Sequence, residues 1–182
     1  MSDARKTKKQ LIEELAALRQ EAAAVEWALR KERIMRRLLC QAAGVTASAN
    51  LETVLEEVRT ALEELGVPFE GCGVNVVDAT TKPSAVRFHA MMAGEHWQEM
   101  QSGNPGAELV VRIWRDQKVV YRSDLEAADA HGEGDRIRWR KPVRAVLDVP
   151  FAHGTLAINS TRPDPFTAAH IEVVEEMGQV LS

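Results

Sequence analysis

The sequence predicts an α+β fold, in which a β-sheet is flanked by helices and preceded by a long N-terminal coiled-coil helix.

Three observations support this prediction. Residues 6–41 contain no Gly or Pro and are rich in Ala, Glu, Leu, Arg and Lys, which favours one unbroken helix. Short β-branched runs separated by turn-like residues occur between residues 72 and 160, as expected for strands. Apolar residues at helical spacing return from Thr167 to Ser182.

The N-terminal helix carries a seam of apolar residues at alternating spacings of four and three. These residues are Leu11, Leu15, Leu18, Ala22, Val25 and Leu29. This spacing is typical of a two-stranded coiled coil, so we predict a homodimer through the seam. The alternative is one amphipathic helix that lies partly on its own domain. Continuing the seam would include Glu32 and Arg36, whereas Ile34 and Leu38 lie on a shifted stripe, so we expect a change of phase there.

We predict two units, with residues 1–43 forming the coiled-coil signalling helix and residues 44–182 forming the domain. At the start of the domain, Asn50 is predicted to cap a second helix. Strand-like runs follow at residues 72–78 and 85–92, and a polar, turn-like segment separates them.

The middle of the domain is harder to interpret. Gly103 to Gly106 predicts a loop. Residues 109–115 are ambiguous, because their valine and isoleucine side chains favour a strand. Residues 118–122 are predicted to form a short strand, and Ser123 is predicted to cap a further turn of helix over residues 124–130.

The end of the chain predicts a hairpin and a helix. Strands are expected at residues 143–149 and 155–160, with the Pro and Gly of Pro150 to Gly154 in the connection. Thr167 is predicted to cap the last helix. That helix reaches Ser182 without a terminating residue, so we expect the natural chain to continue.

Composition restricts the possible functions. The net charge of -4 provides no general attraction for nucleic acid, and no apolar run is long enough to insert into a membrane. The basic residues 136–144 are interpreted as a solvated strand edge. Cys40 and Cys72 form no disulfide framework, which favours a cytoplasmic location.

The segments Gly73–Asp78, Val120–Leu125 and Val143–Phe166, in this order, resemble a GAF domain of a bacterial signal-transduction sensor protein. The resemblance covers about residues 51–182. It implies a helix within residues 109–115, an antiparallel sheet with a small-molecule pocket on one face, and signalling through dimer helices.

No catalytic motif supports an enzyme. The chain contains no Gly-x-Ser-x-Gly, Walker, His-Glu-x-x-His or dinucleotide glycine pattern, and its histidines lack metal-ligand spacing. Relatives that reduce methionine sulfoxide use a group of pocket cysteines, which Cys40 and Cys72 do not supply. Haem-binding relatives need one well-placed histidine, for which His89 is the candidate, although an ordinary structural histidine is the favoured interpretation.

A small-molecule pocket is the remaining candidate site. The resemblance places most of the large aromatic residues in the region that covers the pocket, and alternation along the strand points Asn75 away from Val74 and Val76. The candidate pocket residues are Asn75, His89, Trp97, Trp114, Tyr121 and Trp139. The alternative is that these aromatic residues are ordinary core and Asn75 bonds to its neighbours.

Together with the seam, the resemblance implies a regulatory sensory domain that dimerises through helices and relays a small-molecule or other signal to an output domain outside this chain. The first alternative is a ligand-free dimerisation module, whose pocket would be filled by its own side chains. The second is a small enzyme on the same scaffold. The sequence assigns no cofactor and no metal.

Overall fold

The computed structural model describes residues 6–43, 51–92, 95–132 and 142–182. Its helices are α1 (Lys8–Ala43), α2 (Leu51–Glu64), α3 (Pro105–Asp116) and α4 (Ala168–Val180). Its strands are β1 (Gly71–Asp78), β2 (Ala85–Met92), β3 (Glu95–Ser102), β4 (Val120–Arg122), β5 (Ala145–Phe151) and β6 (Gly154–Ser160). The strands form one sheet in the order β3-β2-β1-β6-β5-β4, and every neighbouring pair is antiparallel. The predicted α+β class is confirmed.

The two faces of the sheet are covered by different helices. Side chains alternate between the faces along each strand. The face that includes Val74 packs against α1, α2 and α4 and forms the large apolar core. The opposite face includes Val77 and Val86, which pack against Ala107 and Val110 of α3 in a much smaller cluster. Each residue of a central strand therefore enters one of two distinct environments.

Helix α1 changes its surroundings along its length. The leucines and valine of the predicted seam, from Leu11 to Leu29, are between 48% and 56% exposed. Ile34 and Leu38 are 1% and 0% exposed and belong to the core. The expected change of phase is confirmed, since the buried stripe of the last turns is rotated away from the seam. Whether a second chain covers the seam stays a prediction, as does the division of the chain at residue 43.

Ion pairs fix the C-terminal half of α1 on the domain. The ammonium of Lys31 lies 2.5 Å from a carboxylate oxygen of Glu176 on α4. The guanidinium of Arg37 pairs with Glu57 on α2, and its Nη2 lies 3.1 Å from Glu64. These contacts supplement apolar burial, because ion pairs that are partly exposed contribute little by themselves.

Strand β3 was not expected from the sequence. Only Trp97 and Met100 among its residues are large and apolar, and both are about half exposed. An edge strand that is solvated on its outer side does not need the apolar alternation from which strands are predicted. The pairing of Glu95–Ser102 with the whole of β2 identifies it as a strand.

The prediction of a loop at Gly103 to Gly106 was wrong in part. Helix α3 already begins at Pro105, and the side chain of Asn104 accepts a hydrogen bond of 2.8 Å from the backbone N–H of Ala107. Asn at the N-cap followed by Pro at the first helical position is a strong helix start. The helix implied by the resemblance is therefore confirmed.

Two other local predictions need correction. The helical turn expected after Ser123 is only a turn, with one hydrogen bond of 3.0 Å from the N–H of Ala128 to the carbonyl of Asp124. Strand β5 also continues through Pro150 to Phe151 instead of ending before the proline. Proline is tolerated there because β4 pairs no further than Asp148.

Helix α4 starts as predicted, because Thr167 is its N-cap and forms a capping box with His170. The cap predicted at Asn50 lies outside the described residues. No helix within those residues is long and apolar enough to span a bilayer.

The burial of α1 on the domain leads to a stability prediction. Leu38→Ala should lower the free energy of unfolding by about 2–5 kcal/mol, because it leaves a cavity in the core. Urea denaturation followed by circular dichroism measures this change. Ile12→Ala, at a position that is 58% exposed on the same helix, is the matched control and should change stability by less than about 0.5 kcal/mol. Equal effects of the two substitutions would contradict the observed packing.

Candidate functional site

A row of buried polar residues crosses the α3-facing side of the sheet. We call it the polar row: Asn75, Thr155, Asp148 and Arg122. The amide of Asn75 donates to the hydroxyl of Thr155 at 2.9 Å, and that hydroxyl donates to Asp148 Oδ1 at 3.1 Å. Arg122 Nη2 donates to Asp148 Oδ2 at 2.5 Å. All four residues are at most 8% exposed, so this is a buried ion pair extended by neutral hydrogen bonds.

The register of four strands assembles the polar row. Asn75 on β1 lies directly opposite Thr155 on β6, while Asp148 and Arg122 come from β5 and β4. Gly154 allows the two central strands to approach, because a Cβ atom at this position would lie 1.7 Å from the carbonyl oxygen of Asn75. The row therefore depends on sheet pairing, and a buried charge pair of this kind is costly to leave half satisfied.

A cavity of about 660 Å³ lies on the opposite face, between the sheet and the ends of three helices. We call it the helix-face cavity. Most of its lining is apolar and comes from α1, α2, α4, β1, β3 and the β5–β6 hairpin. Its ionisable lining residues are Asp78, Arg87, His89 and His153. A largely apolar cavity with a few polar groups has the composition of a small-molecule site.

His89 is a buried histidine in the wall of this cavity. It is 3% exposed, and its ring stacks on that of His96 with a centroid distance of 5.8 Å and an interplanar angle of 18°. Within the described residues, His89 Nδ1 and His96 Nε2 are buried without a hydrogen-bond partner. Burial lowers the pKa of His89, and the nearby His96 and Arg87 lower it further. The imidazole is therefore held in its neutral form near neutral pH.

The structure divides the predicted pocket residues between the two faces of the sheet. Asn75 pairs with Phe88, whereas Val74 pairs with His89, so Asn75 and His89 lie on opposite sides. Trp97 is 49% exposed on the edge strand β3. Trp139 lies outside the described residues.

The other two predicted aromatic residues have structural contacts. Trp114 on α3 donates through Nε1 to the carbonyl of Ala152 at 3.0 Å. The hydroxyl of Tyr121 donates to Asp164 at 3.0 Å, and its ring packs on Phe166 at a centroid distance of 5.6 Å.

Sequence reasoning missed Arg122, Asp148, Thr155 and Arg87. A signal was available for Asp148, since it is a charged residue in the middle of an apolar strand and therefore needs a partner. Arg87 gives a similar signal, since it is a charged residue within the largely apolar strand β2, but the signal does not say which residues surround it. Its environment depends on which residues of the neighbouring strands lie beside it, and a single sequence does not give that register.

The cysteines do not form a reactive pair. Cys40 is exposed on α1, whereas Cys72 on β1 is buried, and desolvation raises the pKa of its thiol to about 12. A thiol of this kind is a poor nucleophile. Within the described ranges, no group of three or more His, Cys, Asp or Glu residues is arranged to hold a metal ion.

Comparison with known proteins identifies the fold. A family model described as "GAF domain" matches residues 48–182. The solved structure of a GAF domain superposes with a TM-score of 0.58 at 17% identity, covering 83% of this chain and 86% of that one. No curated protein sequence matches the chain.

Two further solved structures have named activities. A free methionine-R-sulfoxide reductase from Neisseria meningitidis, in complex with its substrate, superposes with a TM-score of 0.54 at 19% identity and coverages of 86% and 87%. A segment of a methyl-accepting chemotaxis protein superposes with a TM-score of 0.55 at 15% identity and coverages of 82% and 92%. At these identities the similarity shows the fold alone.

The polar row leads to a prediction about coupled residues. Asp148→Asn should lower the free energy of unfolding by about 3–5 kcal/mol, because it removes the charge that compensates the buried guanidinium of Arg122. The double variant Arg122→Met with Asp148→Asn should cost less than the sum of the single variants Arg122→Met and Asp148→Asn. Chemical denaturation of all four proteins gives this double-mutant cycle. Strict additivity would show that the two side chains are not coupled and would contradict this prediction.

The buried histidine leads to a prediction about pH. Since the pKa of His89 is lower in the folded state than the value of about 6.5 in an unfolded chain, the unfolded chain binds the proton first as the pH falls. The contribution of His89 to stability is therefore complete above about pH 6.5 and is lost as the pH falls towards its folded-state pKa. His89→Gln should make the fall of unfolding free energy below that pH less steep. A variant as steep as the wild type would contradict this assignment.

Proposed function

The chain belongs to the GAF domain family, and we propose that it is a cytoplasmic sensory module that dimerises through α1 and relays a small-molecule signal to an output domain. One observation carries this proposal. A single uninterrupted helix presents an apolar seam to solvent in its first half and is part of the domain core in its second half. The element that would join two chains is thus the element that contacts the rest of the domain.

The dimensions of α1 support dimerisation. Its 36 residues correspond to a rod about 54 Å long, and only its last turns pack on the domain. Five large apolar side chains of the seam would otherwise stay in water. Burying them against a second helix supplies the free energy that stabilises coiled coils.

The charges beside the seam favour a parallel pair. In a parallel coiled coil, Glu14 lies beside Arg19 of the partner subunit, although Glu21 lies beside Glu26 of the partner subunit. An antiparallel pair with the whole seam overlapping would instead place Arg19 beside Arg19 of the partner subunit and Glu21 beside Glu21 of the partner subunit. The parallel arrangement has one attractive and one repulsive contact, whereas the antiparallel arrangement has two repulsive ones. Parallel helices also leave both domains at the same end of the rod.

The packing of α1 supports a relay. Ile34 and Leu38 share the core with α2, α4 and the sheet, and Lys31 pairs with Glu176 on α4. A ligand that binds one arrangement of these helices more tightly shifts the population towards it. Two helix registers would compete in the segment between the seam and the buried stripe, which includes Glu32 and Arg36.

The two alternatives have less support. A ligand-free dimerisation module does not need the helix-face cavity, whose volume falls in the usual range of ligand sites. The sulfoxide reductase shows that the fold also occurs in enzymes. In this chain, however, the buried thiol of Cys72 and the surface thiol of Cys40 provide no thiol pair for such chemistry.

The dimer is tested by substitutions on α1. Leu18→Glu should convert a dimer into a monomer, because it places a charge in the apolar seam of both chains. Sedimentation velocity measures the change. Ala23→Glu, on the outer side of the same helix, introduces the same charge away from the seam and should leave the dimer intact. A wild-type monomer at tens of micromolar, or equal effects of the two variants, would refute the proposed interface.

A cross-linking experiment on the same seam tests whether the two helices of the dimer are parallel. In a Cys40→Ser background, Leu18→Cys should form a disulfide between two chains of a parallel dimer, because a seam residue faces its own copy only in that arrangement. Mild oxidation followed by non-reducing electrophoresis measures the cross-link.

A further inference from the structure

We propose that the helix-face cavity binds an amphipathic monocarboxylate, in which Arg87 receives the carboxylate and the apolar walls receive an aliphatic or aromatic body. This inference deepens the proposed sensory function and rests on it for the consequence of binding. The cavity lies on the side of the sheet opposite the polar row and is lined directly by the end of α1.

Arg87 is a cation in an apolar position of the sheet. Its neighbours on the same face are Val76 on β1 and Met100 on β3, which lie directly opposite it on either side. Among the described residues, no carboxylate forms an ion pair with its guanidinium. A half-buried guanidinium on an apolar floor is a strong site for a carboxylate, which it binds through two parallel hydrogen bonds.

Asp78 does not take this role, although it also lines the cavity. Its carboxylate accepts hydrogen bonds from the backbone N–H and the hydroxyl of Thr80 at 2.9 and 2.6 Å. These two bonds are the main reason that the pKa of Asp78 is lowered, and the charge of Arg87 is a smaller cause. Both bonds go to Oδ1, and no ion pair joins Asp78 to Arg87 within the described residues, so the donors of Arg87 are left available.

The charge balance of the cavity favours a single negative charge. His89 is buried and its pKa is lowered, so it adds no second fixed cation near neutral pH. The carboxylate of Asp78 on the same wall repels any anion, and it repels a dianionic phosphate about twice as strongly as a monocarboxylate at the same distance. A monocarboxylate therefore fits better than a phosphate.

The walls select an apolar body for the ligand. They include the side chains Leu39, Leu51, Val54, Val74, Phe151 and Val180. A fully polar ligand would desolvate its groups here without gaining hydrogen bonds. Each methylene transferred from water to such walls should increase the affinity by about fourfold, so a longer chain should bind more tightly.

The position of the cavity gives binding a consequence for the helices. Leu39 and Ala42 line it from the last turns of α1, and Val180 and Leu181 line it from the end of α4. A ligand in contact with both would stabilise one arrangement of the two helices. Binding and the conformation of α1 would then be coupled through direct contact.

The test is isothermal titration of the full chain with decanoate and with 1-decanol, below the concentration at which either aggregates. Decanoate should bind saturably, and decanol should bind at least about tenfold more weakly because it lacks the charge that Arg87 receives. Arg87→Gln should weaken decanoate binding by at least about tenfold and leave decanol binding unchanged. Arg115→Gln, which removes an exposed arginine from α3, is the matched control and should have no effect.

A second pair of variants tests the same guanidinium from the neighbouring strand. Met100 lies opposite Arg87 and is 48% exposed, so substitution there is compatible with folding. Met100→Glu should form an ion pair with Arg87 and weaken decanoate binding at least about tenfold more than Met100→Gln, which alters the same wall without adding a charge. Absence of saturable binding, equal affinity for decanoate and decanol, or equal behaviour of the two Met100 variants would overturn the proposal.

Sedimentation of the same samples separates this proposal from the proposed function. A monomer that binds decanoate through Arg87 would support the ligand site and refute the dimeric relay. A dimer that does not bind decanoate would refute the ligand site and leave the dimer in place.

Discussion

The structure depends on the alternation of side chains along β1, a central strand that is paired on both sides and covered by helices on both faces. Val74 and Val76 enter the core shared with α1, α2 and α4, while Asn75 enters the region beneath α3. Because successive side chains point to opposite faces, a shift of one residue would bury Asn75 in the apolar core. The mismatch would cost several kcal/mol for the unpaired amide alone, so the register of the central strands is strongly specified. Gly154 reinforces that register, since only glycine fits beside the carbonyl of Asn75.

The same alternation separates two kinds of site. The polar row satisfies most of its own hydrogen bonds, because Thr155 bridges Asn75 and Asp148 and the carboxylate also accepts from Arg122. A ligand there would have to replace interactions that already exist. The helix-face cavity has the opposite character, since its walls are apolar and Arg87 has no carboxylate partner among the described residues. Binding there would add interactions without breaking a buried ion pair, which favours this face for a ligand.

The sequence was sufficient for the elements whose signal is local. The phase change in α1 followed from the positions of Ile34 and Leu38, and the start of α4 followed from Thr167. It was insufficient for β3, because a polar edge strand lacks the apolar alternation that identifies strands. It was also insufficient for the site, since the relation between Arg87 and Met100 depends on pairing across strands. The sequence-based prediction grouped Asn75 and His89 in one pocket, whereas the structure places them on opposite faces of the sheet. The alternation of side chains along a strand separates them once the pairing of β1 with β2 is known.

The location of a ligand also determines how its binding would change the packing of α1. A ligand beneath α3 would contact the sheet, and the sheet would have to move before Ile34 or Leu38 changed its contacts. Such a movement is costly because β1 is hydrogen-bonded on both sides. A ligand in the helix-face cavity would contact α1 through Leu39, one residue after the buried Leu38. The coupling free energy would then come from the packing of two helix ends, which rearranges more easily than a central strand. In this chain, a ligand in the helix-face cavity would therefore affect the coiled-coil seam more directly than a ligand beneath α3.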